Sequence, residues 1–150
     1  MTKYKEFTIK VRQEITKKLE TQVEQKNPRI NYLDNQYRQY TESLFGGKMI
    51  RGMLVCVGYL LAGKKIDDKI IEIASAFEIV HSSLLIHDDI IDQGSSRRGK
   101  PSLHVALGNH KKGESLALCF GDLGLFWSAQ IINNAPFDSK VKQHAVDFYC

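Results

Sequence analysis

The longest helical pattern in this chain covers residues 68–92 and ends in a group of acidic side chains. Asp67 precedes the pattern as a candidate N-cap, and Gly94 follows it as a helix stop. A helix of about 25 residues is about 37 Å long. Phe77 and Leu84 are among the residues that give it apolar walls. A chain with this segment is expected to fold around long packed helices.

The remaining sequence is also helical in its periodicity. Apolar residues recur every three or four positions in the first stretch, at Tyr4, Phe7, Val11, Ile15, Leu19 and Val23. Further helices are predicted over residues 32–44, 48–61, 101–107, 114–132 and from 139 onward. Helix-breaking residues separate them at Asn27-Pro28, Gly46-Gly47, Gly63 and Asn133-Asn134. Because no stretch of useful length alternates as a strand does, we predict an all-α fold, an antiparallel helical bundle. The last predicted helix has no C-cap, which indicates a bundle cut short at its C-terminus.

Composition narrows the functional classes. With 150 residues, 43% of them hydrophobic and 25% charged, the chain fits one globular domain with a real core. A net charge of +4 suits small anionic substrates, and no basic stripe with interleaved aromatics indicates a nucleic-acid partner. The N-terminus lacks the apolar segment of a signal peptide, and the longest apolar run, residues 53–62, is about half a membrane span. We therefore expect a cytoplasmic protein without a membrane span. Cys56, Cys119 and Cys150 are expected to be reduced thiols, the first two in apolar surroundings.

The acidic group at the end of the long helix consists of Asp88, Asp89 and Asp92. Asp88 and Asp92 share one helix face, about 6 Å apart along the axis. Carboxylates in a last turn face the negative end of the helix dipole, which disfavours them unless a cation compensates. Mg²⁺ suits this geometry because it takes one or two carboxylates and fills its other positions with water and phosphate. Arg97 and Arg98 follow, and guanidinium groups suit a diphosphate. The alternative is a solvated acidic helix end followed by a basic loop.

A second charged group occurs at residues 46–51, where two glycines precede a predicted helix start. Lys48 and Arg51 are three residues apart and face the positive end of that helix dipole, again the wrong sign for stability alone. Together with backbone N–H groups they predict an anion site. The alternative is a glycine break followed by two surface cations. A substrate with several phosphates, bridged by metal, would account for both charged groups.

The order of these motifs resembles the N-terminal half of a trans-isoprenyl diphosphate synthase of the polyprenyl synthetase family. The resemblance extends over about residues 44–122. It rests on a GGK-x-x-R motif at Gly46, Gly47, Lys48 and Arg51, a D-D-x-x-D motif at Asp88, Asp89 and Asp92, an R-R-G-x-P segment at Arg97, Arg98, Gly99 and Pro101, and on His81, His104, Gly121 and Asp122. Two departures occur. Gly52 stands where the family usually has proline, which should change local stiffness more than ligand chemistry, and the family's second aspartate-rich motif is absent.

The resemblance implies an isoprenoid synthase fold, with residues 1–150 as the N-terminal part of a single domain. It implies a prenyltransferase that condenses isopentenyl diphosphate with an allylic diphosphate by Mg²⁺-assisted ionisation. The implied catalytic residues are Asp88, Asp89, Asp92 and Arg97, with the aspartates as Mg²⁺ ligands and the arginine on the allylic diphosphate. The implied ligands of isopentenyl diphosphate are Lys48, Arg51, His81 and Arg98. The family is usually homodimeric, with residues 121–132 near the partner.

In this family, residues one to three turns before Asp88 form the floor of the product tunnel. Ser83 and Leu84 are not aromatic and should not block elongation, and Phe77, about 16 Å deeper, is the candidate floor. We therefore expect a product of geranylgeranyl length or longer. Because the second acidic motif is missing, the alternative is a non-catalytic or regulatory subunit, or a fragment, that binds prenyl diphosphates without turnover. A structural bundle with fortuitous charges is disfavoured by the number of motifs in order.

Overall fold

The computed structural model describes residues 3–26, 33–108 and 110–147. These residues form seven helices: α1 (Lys3–Lys26), α2 (Asp34–Ser43), α3 (Ile50–Leu61), α4 (Asp68–Ile91), α5 (Leu103–Ala106), α6 (Lys111–Asn134) and α7 (Ser139–Asp147). The predicted all-α fold is confirmed, and each predicted helix is present within a few residues of its expected bounds. Asn27-Pro28, Tyr32 and Cys150, which entered the sequence predictions, lie outside the described residues.

The described chain also contains one short antiparallel strand pair, β1 (Ser96–Arg97) and β2 (Lys100–Pro101), which was not predicted. Arg98 and Gly99 connect the two strands, with φ angles of 55° and 76°. Two consecutive residues with positive φ form the tight hairpin turn that matches the natural twist of strands. Because strands of two residues are too short to alternate, hydrophobic periodicity gives no sign of them.

Helix α4 lies at the centre of the fold and packs against α1, α3 and α6. Asp67 caps its N-terminus, as predicted, since its side chain accepts a hydrogen bond from the Ile70 N–H at 3.1 Å. Buried residues such as Ile71, Ala74 and Ile79 occupy most sides of the helix. The hairpin that follows α4 folds back on the acidic C-terminal end of α4 and also contacts the loop that follows α2.

Helices α4 and α6 approach each other closely at Gly124. A Cβ atom added there would overlap the Ser83 hydroxyl and lie 2.7 Å from Tyr40 Oη. Ser83 and Tyr40 are both fully buried at this contact. The missing side chain therefore lets α2, α4 and α6 meet around Ser83.

The same two helices, α4 and α6, are long and apolar enough to cross a membrane, judged by length and composition alone. Core helices pass the same test. In α4 61% of the apolar window is buried inside the structure, and in α6 44% is buried. Since the two helices also pack against each other, we interpret them as core helices of the bundle.

The described cysteines differ in environment. Cys56 is buried and free, as predicted. Cys119 is exposed, so the prediction of apolar surroundings is wrong for this residue. Its neighbours Ala117 and Phe120 take the inward positions of α6, and Cys119 is turned outward.

Candidate active site

The C-terminal turn of α4 places its three aspartates in two environments. Asp89 is buried, with 6% of its surface exposed, whereas Asp88 and Asp92 are exposed. The helix ends here: the Asp92 N–H donates to the Asp88 carbonyl at 2.8 Å, and the Gly94 N–H donates to the Asp89 carbonyl at 2.8 Å. Asp88 and Asp92 are thus the two accessible carboxylates of the last turn, on the face that their spacing predicted.

Arg97 binds the buried Asp89 through two nitrogens of its guanidinium group. Nε donates to Oδ2 at 2.8 Å and Nη2 donates to Oδ1 at 2.7 Å, which makes a bidentate charge-assisted pair. Nη2 also lies 3.2 Å from Asp88 Oδ2. The hydrogen bond to Asp89 is the main cause of the raised pKa of Arg97. Asp89 therefore ties the hairpin to the end of α4, and its roles as a metal ligand and catalytic residue stay predictions.

Two of the three aspartates fit Mg²⁺. Within the described ranges, no group of three or more His, Cys, Asp or Glu side chains is arranged to hold a metal ion. Asp88 and Asp92 nevertheless offer exposed carboxylates on one face at the negative end of a helix dipole. Mg²⁺ needs only one or two carboxylates when water and phosphate complete its shell. Asp89 fits less well, because Arg97 already uses both of its oxygens.

Arg98, the second arginine of the hairpin, contacts the glycine loop between α2 and α3. Its Nη1 donates to the Phe45 carbonyl at 3.1 Å, across a separation of 53 positions in sequence. Its guanidinium group also lies against Gly47, where an added Cβ atom would be 3.1 Å from Nη2. The structure thus brings together the two charged motifs that are far apart along the chain.

His81 lies on α4, where the charges of three arginines act on it. Burial is the largest cause that lowers the pKa of its imidazole from 6.5 to about 4, and the positive charges on Arg51, Arg98 and Arg97 lower it in the same direction. The ring is therefore neutral near neutral pH, with one N–H donor and one acceptor nitrogen. The cationic surroundings favour an anion such as a diphosphate. Lys48, the fourth residue of the predicted isopentenyl diphosphate set, is exposed in the loop before α3.

Glu78 was not among the residues predicted from the sequence. It is buried, with 4% of its surface exposed, and accepts a hydrogen bond from the Gly52 N–H at 2.7 Å. Burial raises the pKa of its carboxyl, whereas hydrogen bonds from the backbone N–H groups of Gly52 and Arg51 and the charges on Arg51 and Arg98 act in the opposite direction. The Gly52 N–H is therefore not free for a substrate anion. An acidic residue inside an apolar helix was the available signal, because a buried carboxylate needs partners.

The residues predicted to control product length lie on two sides of α4. At 100° per residue, Phe77 is about 20° and Leu84 about 40° from Asp88 around the helix, whereas Ser83 is about 140° away. Leu84 is 52% exposed, and Phe77 is partly buried against the core. Ser83 is fully buried, next to Gly124. Phe77 and Leu84 therefore share the Asp88 face and Ser83 does not, and length control stays a prediction for all three.

His87 connects the acidic end of α4 to α6. Its Nε2 lies 3.4 Å from both the Leu118 carbonyl oxygen and Asp122 Oδ1. Gly121 makes room for the ring, which an added Cβ atom would overlap. His87 is therefore an interhelical contact that links Asp88 to the Gly121-Asp122 motif.

Comparison with known proteins extends this picture. The family model for polyprenyl synthetase matches residues 32–148. A short chain isoprenyl diphosphate synthase from Methanocaldococcus jannaschii is 42% identical over 96 residues, which are 61% of this chain and 28% of that protein. A geranylgeranyl diphosphate synthase from Cyanophora paradoxa is 38% identical over 103 residues, which are 65% of this chain and 32% of that protein. The chain thus spans about a third of the length of these curated relatives.

Solved structures have the same fold. An isoprenoid synthase family member from Thermotoga neapolitana superposes with a TM-score of 0.75 at 30% identity, over 92% of this chain and 50% of that one. A geranylgeranyl pyrophosphate synthase from Corynebacterium glutamicum, complexed with isoprenyl diphosphate and magnesium, gives a TM-score of 0.75 at 25% identity, over 94% and 44% of the two chains. The helices therefore have the isoprenoid synthase arrangement and span about half of those chains. Since the family model covers most of its residues, this chain belongs to the polyprenyl synthetase family.

Proposed function

We propose that the chain is a prenyltransferase, which condenses isopentenyl diphosphate with an allylic diphosphate to give geranylgeranyl diphosphate or a longer product. One observation carries the proposal: the hairpin places Arg97 3.2 Å from the exposed Asp88 and Arg98 against the glycine loop before α3, so the two charged motifs lie side by side. Such a site can hold two diphosphates, one on the arginines and one on the aspartates through a cation. The names of the relatives from Methanocaldococcus jannaschii and Cyanophora paradoxa support this substrate class.

Asp88 and Asp92 are proposed to hold Mg²⁺ against the diphosphate of the allylic substrate. Bound there, Mg²⁺ would neutralise the charge of the leaving diphosphate. Arg97 lies 3.2 Å from Asp88 and is close enough to bind the same diphosphate. Asp89 contributes by orienting Arg97. The protein side chains supply positioning and charge stabilisation, and none of them acts as a covalent nucleophile.

Lys48, Arg51, His81 and Arg98 are proposed to hold the diphosphate of isopentenyl diphosphate. The arginines can bind phosphate oxygens bidentately. His81 can donate a ring N–H to a phosphate oxygen. When the allylic C–O bond breaks and diphosphate leaves, the alkene of isopentenyl diphosphate attacks the allylic cation, and the adduct then loses a proton.

The growing chain is proposed to extend along the face of α4 that carries Leu84 and Phe77. Leu84 presents exposed apolar surface one turn before Asp88. Phe77 lies about 16 Å from Asp88 along the helix axis and would form the end of the tunnel. This depth supports a product of geranylgeranyl length or longer.

We also propose that the protein is cytoplasmic and that it forms a homodimer through the outer face of α6. Phe126 is 77% exposed and Leu118 is 48% exposed, about two turns apart on one face. Exposed apolar surface of this kind is typical of protein interfaces. Light scattering after size-exclusion chromatography tests the assembly, and a monomeric mass at micromolar concentration would contradict it.

Turnover of isopentenyl diphosphate with farnesyl diphosphate and Mg²⁺, with products resolved by chain length, tests the proposed activity. We expect geranylgeranyl diphosphate or a longer product. Asp88→Ala should abolish turnover, whereas Glu20→Ala, which removes an exposed carboxylate from α1, should leave it unchanged. No product, combined with Mg²⁺-dependent binding of farnesyl diphosphate that Asp88→Ala abolishes, would favour the binding-only alternative. If the wild-type chain neither forms product nor binds farnesyl diphosphate, the proposal is contradicted.

A further inference from the structure

Gly52 and Glu78 join α3 to α4 beside the proposed isopentenyl diphosphate site. Gly52 is the third residue of α3, and its N–H donates to Glu78 Oε1 at 2.7 Å. It also packs directly on α4 and α1, because an added Cβ atom would lie 2.8 Å from the Ala74 carbonyl oxygen and 2.9 Å from Ile15 Cδ1. The glycine therefore provides both a backbone donor and the close approach that lets Glu78 reach it.

Helix α3 has no N-terminal cap within its own segment. Met49 occupies the N-cap position with φ of 53°, its side chain makes no capping hydrogen bond, and the first turn contains no acidic residue. The first N–H groups of a helix need acceptors, and a carboxylate also meets the positive end of the helix dipole. Glu78 supplies the acceptor and the negative charge from the neighbouring helix α4, 26 positions later in the sequence.

The charges around Glu78 are those of the proposed site. Glu78 and His81 are three residues apart and therefore share a face of α4. Burial is the largest cause of both pKa shifts, since it raises the pKa of Glu78 and lowers that of His81, and the positive charges on Arg51 and Arg98 act on both side chains. A buried carboxylate near two arginines offsets their mutual repulsion. Because Arg51 directly precedes Gly52, a fixed Gly52 N–H also fixes the backbone from which the Arg51 side chain extends.

We propose that Glu78 is a positioning residue for isopentenyl diphosphate. By capping α3 through the Gly52 N–H, its carboxylate fixes the backbone that carries Arg51, one of the proposed ligands of the diphosphate. This role rests on the proposed function.

Separate dissociation constants for the two substrates test this role, measured by calorimetry for isopentenyl diphosphate and for farnesyl diphosphate with Mg²⁺. Glu78→Ala should weaken isopentenyl diphosphate binding about tenfold, or about 1.4 kcal/mol, and farnesyl diphosphate binding less than about twofold. Glu78→Gln keeps an acceptor oxygen and should restore most of the affinity. Glu72→Ala, on the same helix, is the matched control and should bind both substrates as the wild type does.

Several results would overturn the role of Glu78. Unchanged affinity for isopentenyl diphosphate in Glu78→Ala would contradict the role. An equal loss of affinity for both substrates would also contradict it, because an equal loss indicates a general structural effect. If Glu78→Ala does not fold, the affinity of Glu78→Asp for isopentenyl diphosphate tests the role instead. Aspartate keeps the charge, but its carboxylate is one methylene farther from Gly52. Wild-type affinity in that variant would therefore contradict the proposal. A wild-type chain that does not bind isopentenyl diphosphate would instead overturn the proposed function, and this role with it.

Discussion

Replacing the three aspartates of α4 by alanine, one at a time, should separate a structural carboxylate from the two that are proposed to bind Mg²⁺. Asp89 is buried and accepts two short hydrogen bonds from Arg97. Asp88 is exposed and has a single longer contact with Arg97, at 3.2 Å. Asp92 is exposed and lies at the C-cap of α4. The sequence motif does not distinguish these residues, but their environments predict different effects on the free energy of unfolding.

The expected magnitudes follow from burial and pairing. Asp89→Ala leaves the Arg97 guanidinium, one third exposed, without its bidentate partner. Removing one member of a fully buried ion pair costs about 3–5 kcal/mol, and partial exposure of the arginine reduces this to about 2 kcal/mol. Asp88→Ala should change the free energy of unfolding by less than about 0.5 kcal/mol, as is usual for surface substitutions. Asp92→Ala should be neutral or stabilise by about 0.3–1 kcal/mol, because it removes a negative charge from the negative end of a helix dipole.

Urea denaturation followed by circular dichroism at pH 7, with chelator present to exclude divalent cations, measures these differences. Asp89→Asn is the control for shape, because it keeps the side-chain volume and loses the charge, and it should fall between wild type and Asp89→Ala. Equal free energies of unfolding for Asp89→Ala and Asp88→Ala would refute the reasoning. That result would mean that the Arg97 pair does not hold the hairpin to α4.

Three further predictions concern product length, pH and helix packing. Phe77→Ala should lengthen the product by one or more isoprene units in the turnover assay, and an unchanged product distribution would contradict a tunnel floor at this position. The pKa of His81 is about 4 in the folded chain and about 6.5 in the unfolded chain. Between these two pH values the unfolded chain binds a proton that the folded chain does not, so the fold should lose stability as the pH falls from about 6.5 to about 4. The full shift corresponds to about 3 kcal/mol, reduced to on the order of 1 kcal/mol by partial exposure, and His81→Asn should remove this pH dependence of unfolding. Gly121→Ala should destabilise by about 1–3 kcal/mol, because its Cβ atom would overlap the His87 ring. Gly58→Ala is its matched control, since an added Cβ atom meets nothing within 4 Å there, and a thermal shift of the same size in both variants would count against the His87 contact.

Much of the fold was predictable because helices carry local signals. The bounds of α4 followed from apolar periodicity, from the Asp67 cap and from the glycine after its last turn. The hairpin was not predictable, because two-residue strands have no period and its turn places Arg98, a non-glycine residue, at positive φ. The outward orientation of Cys119 was also missed, since apolar sequence neighbours do not determine which side of a helix is covered.

The candidate site was predictable where its chemistry is local. The i,i+4 spacing placed Asp88 and Asp92 on one accessible face, and the structure agrees. The separate environment of Asp89 was not predictable, because its partner Arg97 approaches only after the chain reverses in the hairpin. Glu78 was missed for the same reason, since its partner Gly52 is 26 positions away and belongs to another helix. Tertiary contacts of this kind leave no periodic trace in the sequence.

The two arginines of the hairpin are adjacent in the chain, yet they contact different parts of the site. Arg97 binds the acidic end of α4, and Arg98 binds the glycine loop before α3. One two-residue turn therefore connects the two proposed diphosphate positions. A substrate that shifted the hairpin from one position would change the affinity at the other, and thermodynamic reciprocity requires the same coupling free energy in both directions. The turn would thereby couple the occupancy of one position to that of the other.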